Sequence, residues 1–178
     1  MILIVAGVAG SGKSTIGNLV ASQLRWRFTD GDSFHSEANV AKMRSGVALN
    51  DEDRAPWLRA VGDWMDAEIA SGESAVLACS ALKRAYRDEL LSGRPEARMV
   101  FLEVPRDVLV QRLTSRPDHF FPRKLMESQL EILEQPAPDE RVRTVFADGG
   151  PLQTAARIIA TLRPLPGQPG TAGPAVPP

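Results

Sequence analysis

Ile2-Leu3-Ile4-Val5-Ala6-Gly7-Val8-Ala9-Gly10-Ser11-Gly12-Lys13-Ser14-Thr15 is the stretch that decides the fold. A short apolar run rich in β-branched residues empties into a glycine-rich loop. A helical run follows, with Ile16, Leu19, Val20 and Leu24 at helical spacing. The loop meets every fixed position of the phosphate-binding pattern G-x-x-x-x-G-K-[ST]. Gly7, Gly10 and Gly12 let the main chain approach a ligand closely. The successive N–H groups of the loop, Ala9 to Thr15 included, then turn inward as an anion nest at a helix N-terminus. In that frame Lys13 reaches the β- and γ-phosphates of a nucleotide, and the Ser14 hydroxyl is placed to bind Mg²⁺. As a turn that binds nothing, the loop would leave three glycines and a lysine without a purpose.

Outward from this loop, the composition sets the bounds. A chain of 178 residues suits one domain with a sizeable core, and 43% hydrophobic with 24% charged residues is ordinary for a globular protein. A net charge of −1 creates no global field for nucleic acid or an anionic membrane surface. The single cysteine, Cys79, excludes an internal disulfide. No apolar run reaches membrane-spanning length, and the chain opens in a strand rather than in a basic leader. These features predict a cytoplasmic setting with neither nucleic acid nor membrane as partner.

Further strands are expected at 26–29, 74–79, 99–104 and 143–147, alternating with helices at 36–44, from Trp57 to about 70, from about 80 to 92, after Pro105, at 123–134 and at 152–162. Asn50 or Asp51 is a good N-cap for the helix that carries Trp57 and Trp64. Alternating strands and helices imply an α/β fold, a five-stranded parallel sheet flanked by helices. Pro117-Asp118-His119-Phe120-Phe121-Pro122 breaks the pattern and reads as an excursion, part of a small lid over about 116–135. The kinase-like unit therefore spans 1–163, and the Pro-, Gly- and Ala-rich stretch 164–178 is expected to be disordered.

Phosphate-loop folds serve switches, motors and small-molecule kinases. The chain has no Asn-Lys-x-Asp guanine reader, and its third strand ends in Cys79-Ser80 rather than in the aspartate of motor ATPases. Small size and a late, arginine-bearing excursion favour a small kinase, with a lid that closes over the phosphates. Several further stretches carry a more specific likeness. They are Asp30-Gly31-Asp32 with His35; Asn39 with Lys42-Met43; Gly46 through Leu49-Asn50-Asp51-Glu52-Asp53-Arg54 to Pro56-Trp57-Leu58; Cys79-Ser80-Ala81-Leu82-Lys83-Arg84 with Tyr86-Arg87-Asp88; and His119-Phe120 with Ser128-Gln129 and Leu133-Glu134. On these motifs the sequence resembles the bacterial-type gluconokinases over roughly residues 3 to 136. The departures are small: Ala9 where the family often has Ser, and Met126 and Leu130 where Leu and Phe are usual.

The resemblance implies phosphorylation of D-gluconate by ATP with Mg²⁺, and suggests a homodimer. A kinase for another small hydroxy acid, shikimate-like, is the alternative, followed by a nucleotide-binding module without turnover. Lys13 and the loop amides would hold the triphosphate. Asp32 would orient or deprotonate the acceptor hydroxyl, with Asp30 nearer the metal; both acids can instead be read as a turn pair around Gly31. Arg54 is the candidate for the gluconate carboxylate, by similarity to small-acid kinases, its plain alternative being a pair with Asp51 or Asp53. Ser80, Lys83, Arg84 and Arg87 follow a strand end, and the two arginines, three apart, can share a face toward the cleft. His35 and Gln129 are candidates for polyol hydroxyls. Arg112 is the candidate to stack on adenine, Arg116 to reach the phosphates, and His119 to meet substrate or phosphate from the lid. Cys79 reads as a small core residue, and Trp57 and Trp64 as core or subunit contacts.

Overall fold

The computed structural model describes residues 1–114 and 123–162. The stretches 115–122 and 163–178, which hold Arg116, His119, the whole excursion and the terminal tail, lie outside the described residues. Five strands, β1 (Ile2–Ala6), β2 (Arg27–Asp30), β3 (Ala75–Cys79), β4 (Ala97–Glu103) and β5 (Val142–Phe146), form one parallel sheet in the order β2-β3-β1-β4-β5. β1 is central, and all five of its residues are buried. Ile4 pairs with Leu77 on one side and Met99 on the other. A strand covered on both faces needs a continuous apolar run, and Ile2–Ala6 supplies one.

Side chains alternate across the sheet. Ile2, Ile4 and Ala6 face the helices α3 (Asp51–Ala70) and α4 (Arg84–Leu91), packing with Leu58, Val61, Met65 and Leu90. Leu3 and Val5 face α1 (Lys13–Leu24) and α7 (Pro151–Leu162), packing with Ile16, Val20, Ala155 and Ile158. Each fully buried Leu or Ile here contributes about 1.5–3 kcal/mol of transfer free energy. The shorter helices are α2 (Glu37–Arg44), α5 (Arg106–Thr114) and α6 (Arg123–Ile132). A third cluster, Val8, Leu82, Leu109 and Met126, joins the glycine loop to α5 and α6.

The start of α3 is fixed locally. The Asn50 side chain accepts from the Asp53 N–H at 2.8 Å, and the Asp53 carboxylate accepts from the Asn50 N–H at 3.1 Å, a reciprocal capping box. Among the described residues no helix is long and apolar enough to cross a membrane. The α/β expectation and all five strands are met within two residues at each end. The turn offered around Gly31 forms as a 3₁₀ turn at Gly31–Phe34, capped by the Asp30 carboxylate, which accepts from the Asp32 N–H.

Candidate active site

Because every strand is parallel, the loops after β1, β2 and β3 open on the same edge of the sheet, and a cleft lies there. The loop after β1 leads into α1 through Gly12, whose φ of 94° is closed to most side chains. Gly7, at φ 144°, is bound by contact as well: a Cβ there would stand 2.8 Å from Ser11 Oγ and 3.1 Å from the Leu102 carbonyl oxygen. The loop is also anchored sideways, since the Gly7 N–H donates to the Ser80 carbonyl at 3.3 Å. Ser11 is buried inside it, its N–H donating to the Val8 carbonyl.

Lys13 Nζ donates to the Val8 carbonyl at 3.1 Å. Burial pushes its ammonium below the usual lysine range, an effect opposed by the nearby Asp32 and Asp30 carboxylates. Ser14 Oγ donates to Asp30 Oδ2 at 2.6 Å. Two hard oxygen donors, one in the first turn of α1 and one at the end of β2, suit Mg²⁺, which commonly takes one or two protein oxygens and completes its shell with phosphates and water. Asp32 lies one turn further, its side chain 75% exposed and 4.0 Å from His35 Nε2.

His35 is held tightly for a polar ring. Its side chain is 6% exposed and stacks on Trp57 at 4.7 Å between ring centroids. Burial and the Arg54 cation push its pKa down, against the pull of Asp32, so the ring is neutral at pH 7. Nδ1 is buried without a hydrogen-bond partner among the described residues. Trp57 Nε1 donates to the Gly31 carbonyl at 2.7 Å, so the indole braces the turn that carries Asp32. Helical spacing marks Trp57 only as an apolar position; the stack beneath a site histidine has no local signal. Met43, Ala48 and Leu49 also line the cleft, and their apolar side chains give no sign in the sequence of facing a site.

Arg54 lines the same cleft. Among the described residues no carboxylate pairs with it. Asp51, one turn earlier, is held by Lys83 Nζ at 2.7 and 2.8 Å and by the Tyr86 hydroxyl. Asp53 is held by Lys42 Nζ at 2.7 and 2.9 Å. The Arg54 guanidinium lies over the Tyr86 ring, 6.0 Å from its centroid.

The basic run after β3 is arranged differently from expectation. Ser80 lines the cleft, but Lys83, Arg84 and Arg87 do not. Lys83 points to Asp51, and Arg84 makes a two-pronged pair with Asp139 at 2.8 and 3.2 Å. Arg87 is fully buried. Its Nε and Nη2 donate to Glu140 at 2.6 and 2.9 Å, and Nη1 donates to the Leu82 and Glu134 carbonyls at 2.9 Å. A shared cleft-facing surface for Arg84 and Arg87 is therefore corrected: Arg87 spends every guanidinium nitrogen away from the cleft, most of them on the connector after α6, for which it is the buried anchor. Just before this run, Ala81 adopts a φ of 40°, a left-handed geometry uncommon outside glycine.

Gln129, from α6, lines the cleft, but its Oε1 accepts from the Ala9 N–H at 2.7 Å, tying α6 to the glycine loop. Arg112 reaches that loop from α5, with Nη1 donating to the Ser11 carbonyl at 3.3 Å and Nη2 to the Ala147 carbonyl at 3.2 Å. Arg116 and His119 lie outside the described residues. Cys79 is buried, and burial pushes its thiol up to about 12, which leaves it inert as a nucleophile.

Comparison with known proteins adds to this geometry. The shikimate kinase family matches over residues 9–162. A protein of Rattus norvegicus named probable gluconokinase is 42% identical over 180 residues, covering 91% of this chain and 97% of its own. The gluconokinase of Gluconobacter oxydans is 43% identical over 149 residues, 84% of each chain. The crystal structure of a gluconokinase from Sinorhizobium meliloti superposes with a TM-score of 0.75 at 39% identity, covering 90% of this chain and 94% of that one.

Proposed function

The chain belongs to the shikimate kinase family of phosphate-loop kinases and, within it, to the gluconokinases, and from that premise we propose that it transfers the γ-phosphoryl group of ATP to a hydroxyl of D-gluconate, giving 6-phospho-D-gluconate and ADP. The observation that carries the site reading is one cleft lined at once by Lys13, Ser14, Asp30, Asp32 and Arg54. A triphosphate grip, an acid pair and a guanidinium without a carboxylate partner among the described residues are what transfer to an anionic polyol requires.

The loop amides and Lys13 hold the β- and γ-phosphates, so the half-buried ammonium gains an anionic partner when nucleotide binds. Ser14 and Asp30 would hold Mg²⁺, which would supply positive charge against the phosphates. The carboxylate of Asp32 accepts a hydrogen bond from the primary hydroxyl of gluconate and takes its proton as the new P–O bond forms and the bond to ADP breaks. Arg54 grips the acid at the other end with a two-pronged fork. His35, held neutral, donates or accepts at an intermediate hydroxyl. Gln129 and Arg112 position the loop, and Arg112 also borders the nucleotide side. The roles proposed for Lys83, Arg84 and Arg87 as direct substrate ligands are not retained.

ADP release in a coupled assay, dependent on gluconate and Mg²⁺, tests the reading; folded protein that shows none ends it. In the same assay Asp32→Asn should lower kcat by about 10²–10⁴-fold while ATP affinity is kept. Equal losses in both would assign Asp32 to nucleotide or fold instead. The family match to shikimate kinase favours one second reading, a kinase for another small hydroxy acid. A panel of sugar acids with shikimate separates the two, because buried polar groups left unpaired by the wrong acceptor reject it by large factors.

A further inference from the structure

A helix that opens Asp51-Glu52-Asp53-Arg54 presents its arginine with a ready partner. Asp51 lies three residues earlier, a spacing at which carboxylate and guanidinium meet on one helix face. That pair does not form here. Both nearby aspartates are instead occupied by lysines from other elements: Asp51 by Lys83, 32 residues away and at the N-cap of α4, and Asp53 by Lys42, 11 residues away in α2. Each lysine reaches both oxygens of its carboxylate. Asp53 is further committed to the Asn50 N–H, and Asp51 to the Tyr86 hydroxyl. These bonds hold both carboxyls below the usual carboxylate range, the lysine being the largest cause in each case, so both stay ionised and paired at neutral pH.

We propose that Lys83 and Lys42 are positioning residues that occupy the two aspartates beside Arg54, keeping its guanidinium open to the carboxylate of the incoming acid. Three cations meet two carboxylates at this corner, and the surplus positive charge falls on the one group that faces the cleft. Lys83 also fixes the support beneath that group, since its ammonium stands 5.7 Å from the centroid of the Tyr86 ring that Arg54 overlies. Lys83 thus acts without touching substrate. The naming of the acid rests on the gluconokinase reading; the pairing pattern does not.

Lys83→Met keeps the aliphatic stem and removes the charge, which leaves Asp51 to capture Arg54. The KM for gluconate should rise about tenfold, the scale of one charge-assisted hydrogen bond diverted to a competitor, with kcat and the KM for ATP held within about twofold. Lys83→Met with Asp51→Asn removes the competitor too and should bring KM back to within about threefold of the parent value. Lys83→Arg should leave it unchanged. An unaltered KM in Lys83→Met, a fall in kcat at constant KM, or a double variant no better than the single would each overturn the proposal; the last would put Lys83 on the substrate itself. A readout without substrate separates this from the functional reading. Phenylglyoxal adds to unpaired guanidiniums, and its attachment at Arg54, followed by peptide mass spectrometry, should slow several-fold in Lys83→Met and recover in the double variant. If the parent enzyme ignores gluconate while this labelling pattern holds, the choice of acid falls and the positioning role stands. Labelling at the same rate in all three proteins overturns the positioning role.

Discussion

The starts of α3 and α4 look alike in sequence and do opposite things in space. Each opens on a charged residue and carries an arginine at its fourth position, Arg54 in one and Arg87 in the other. Arg54 has two carboxylates within reach on its own helix, yet it faces the cleft because lysines hold both. Arg87 has Asp88 beside it, which pairs with Arg84 at 3.5 Å, yet Arg87 is the buried one, because Glu140 arrives from 53 residues further along and brings the connector after α6 with it. An arginine's task is set by which acceptors are uncommitted where its guanidinium ends up, and not by the acids beside it in the chain.

The contrast can be broken hardest at Arg87. Glu140 is 2% exposed in this pair, so Arg87→Met strands a buried carboxylate and should cost about 3–5 kcal/mol in urea unfolding. Arg87→Met with Glu140→Leu should recover much of that loss, since an apolar pair of similar volume leaves no stranded charge. A cost under about 1 kcal/mol for the single variant would mean that Arg87 is replaceable and the contrast overdrawn. Arg54→Lys should have the reverse profile: KM for gluconate up about tenfold, because an ammonium cannot reproduce the planar fork, with the thermal midpoint unchanged. If stability falls and KM does not, Arg54 belongs with Arg87 as a structural residue.

The smallest effect sharpens the contrast through pH. Arg87, the largest influence, holds the Glu140 carboxyl below its ordinary value of 4.5, and the Ala137 N–H assists. A carboxyl whose folded pKa is depressed contributes stability that is fully present above its unfolded pKa and lost as pH falls through the folded one. The stability gap between the parent and Glu140→Gln should therefore be constant above about pH 5 and narrow below it. A gap that stays flat into acid would show that Glu140 acts by shape alone.

Much of the cleft can be read along the chain because its parts follow strand ends. The glycine loop after β1, the acids at the end of β2 and Ser80 after β3 each carry a local signature, and a parallel sheet brings such loops to one edge. Arg54 is reached through the likeness to small-acid kinases together with a sound N-cap signal at Asn50. For Arg87 the sequence indicates the right region and the wrong partner, and for Gln129 it indicates the cleft without the tie to the glycine loop. Their hydrogen bonds go to Glu140 and to the Ala9 N–H, which are 53 and 120 residues away and lie on elements whose approach no local pattern records. The brace of Trp57 on Gly31 and the stack beneath His35 are hidden in the same way, since an apolar helical position reads identically whether its ring lines a core or a site.

The sequence by itself determined the strands and helices, the phosphate loop and the placement of the acids just past β2, because backbone geometry and side-chain periodicity act over a few residues. Only the tertiary structure decided the strand order, the burial of Arg87 and the freedom of Arg54. Each of those depends on which charged group reaches which acceptor first once distant segments pack. Desolvation makes that competition steep in the core, where Arg87 needs Glu140, and the lysines tip it at the cleft, where Arg54 is left open.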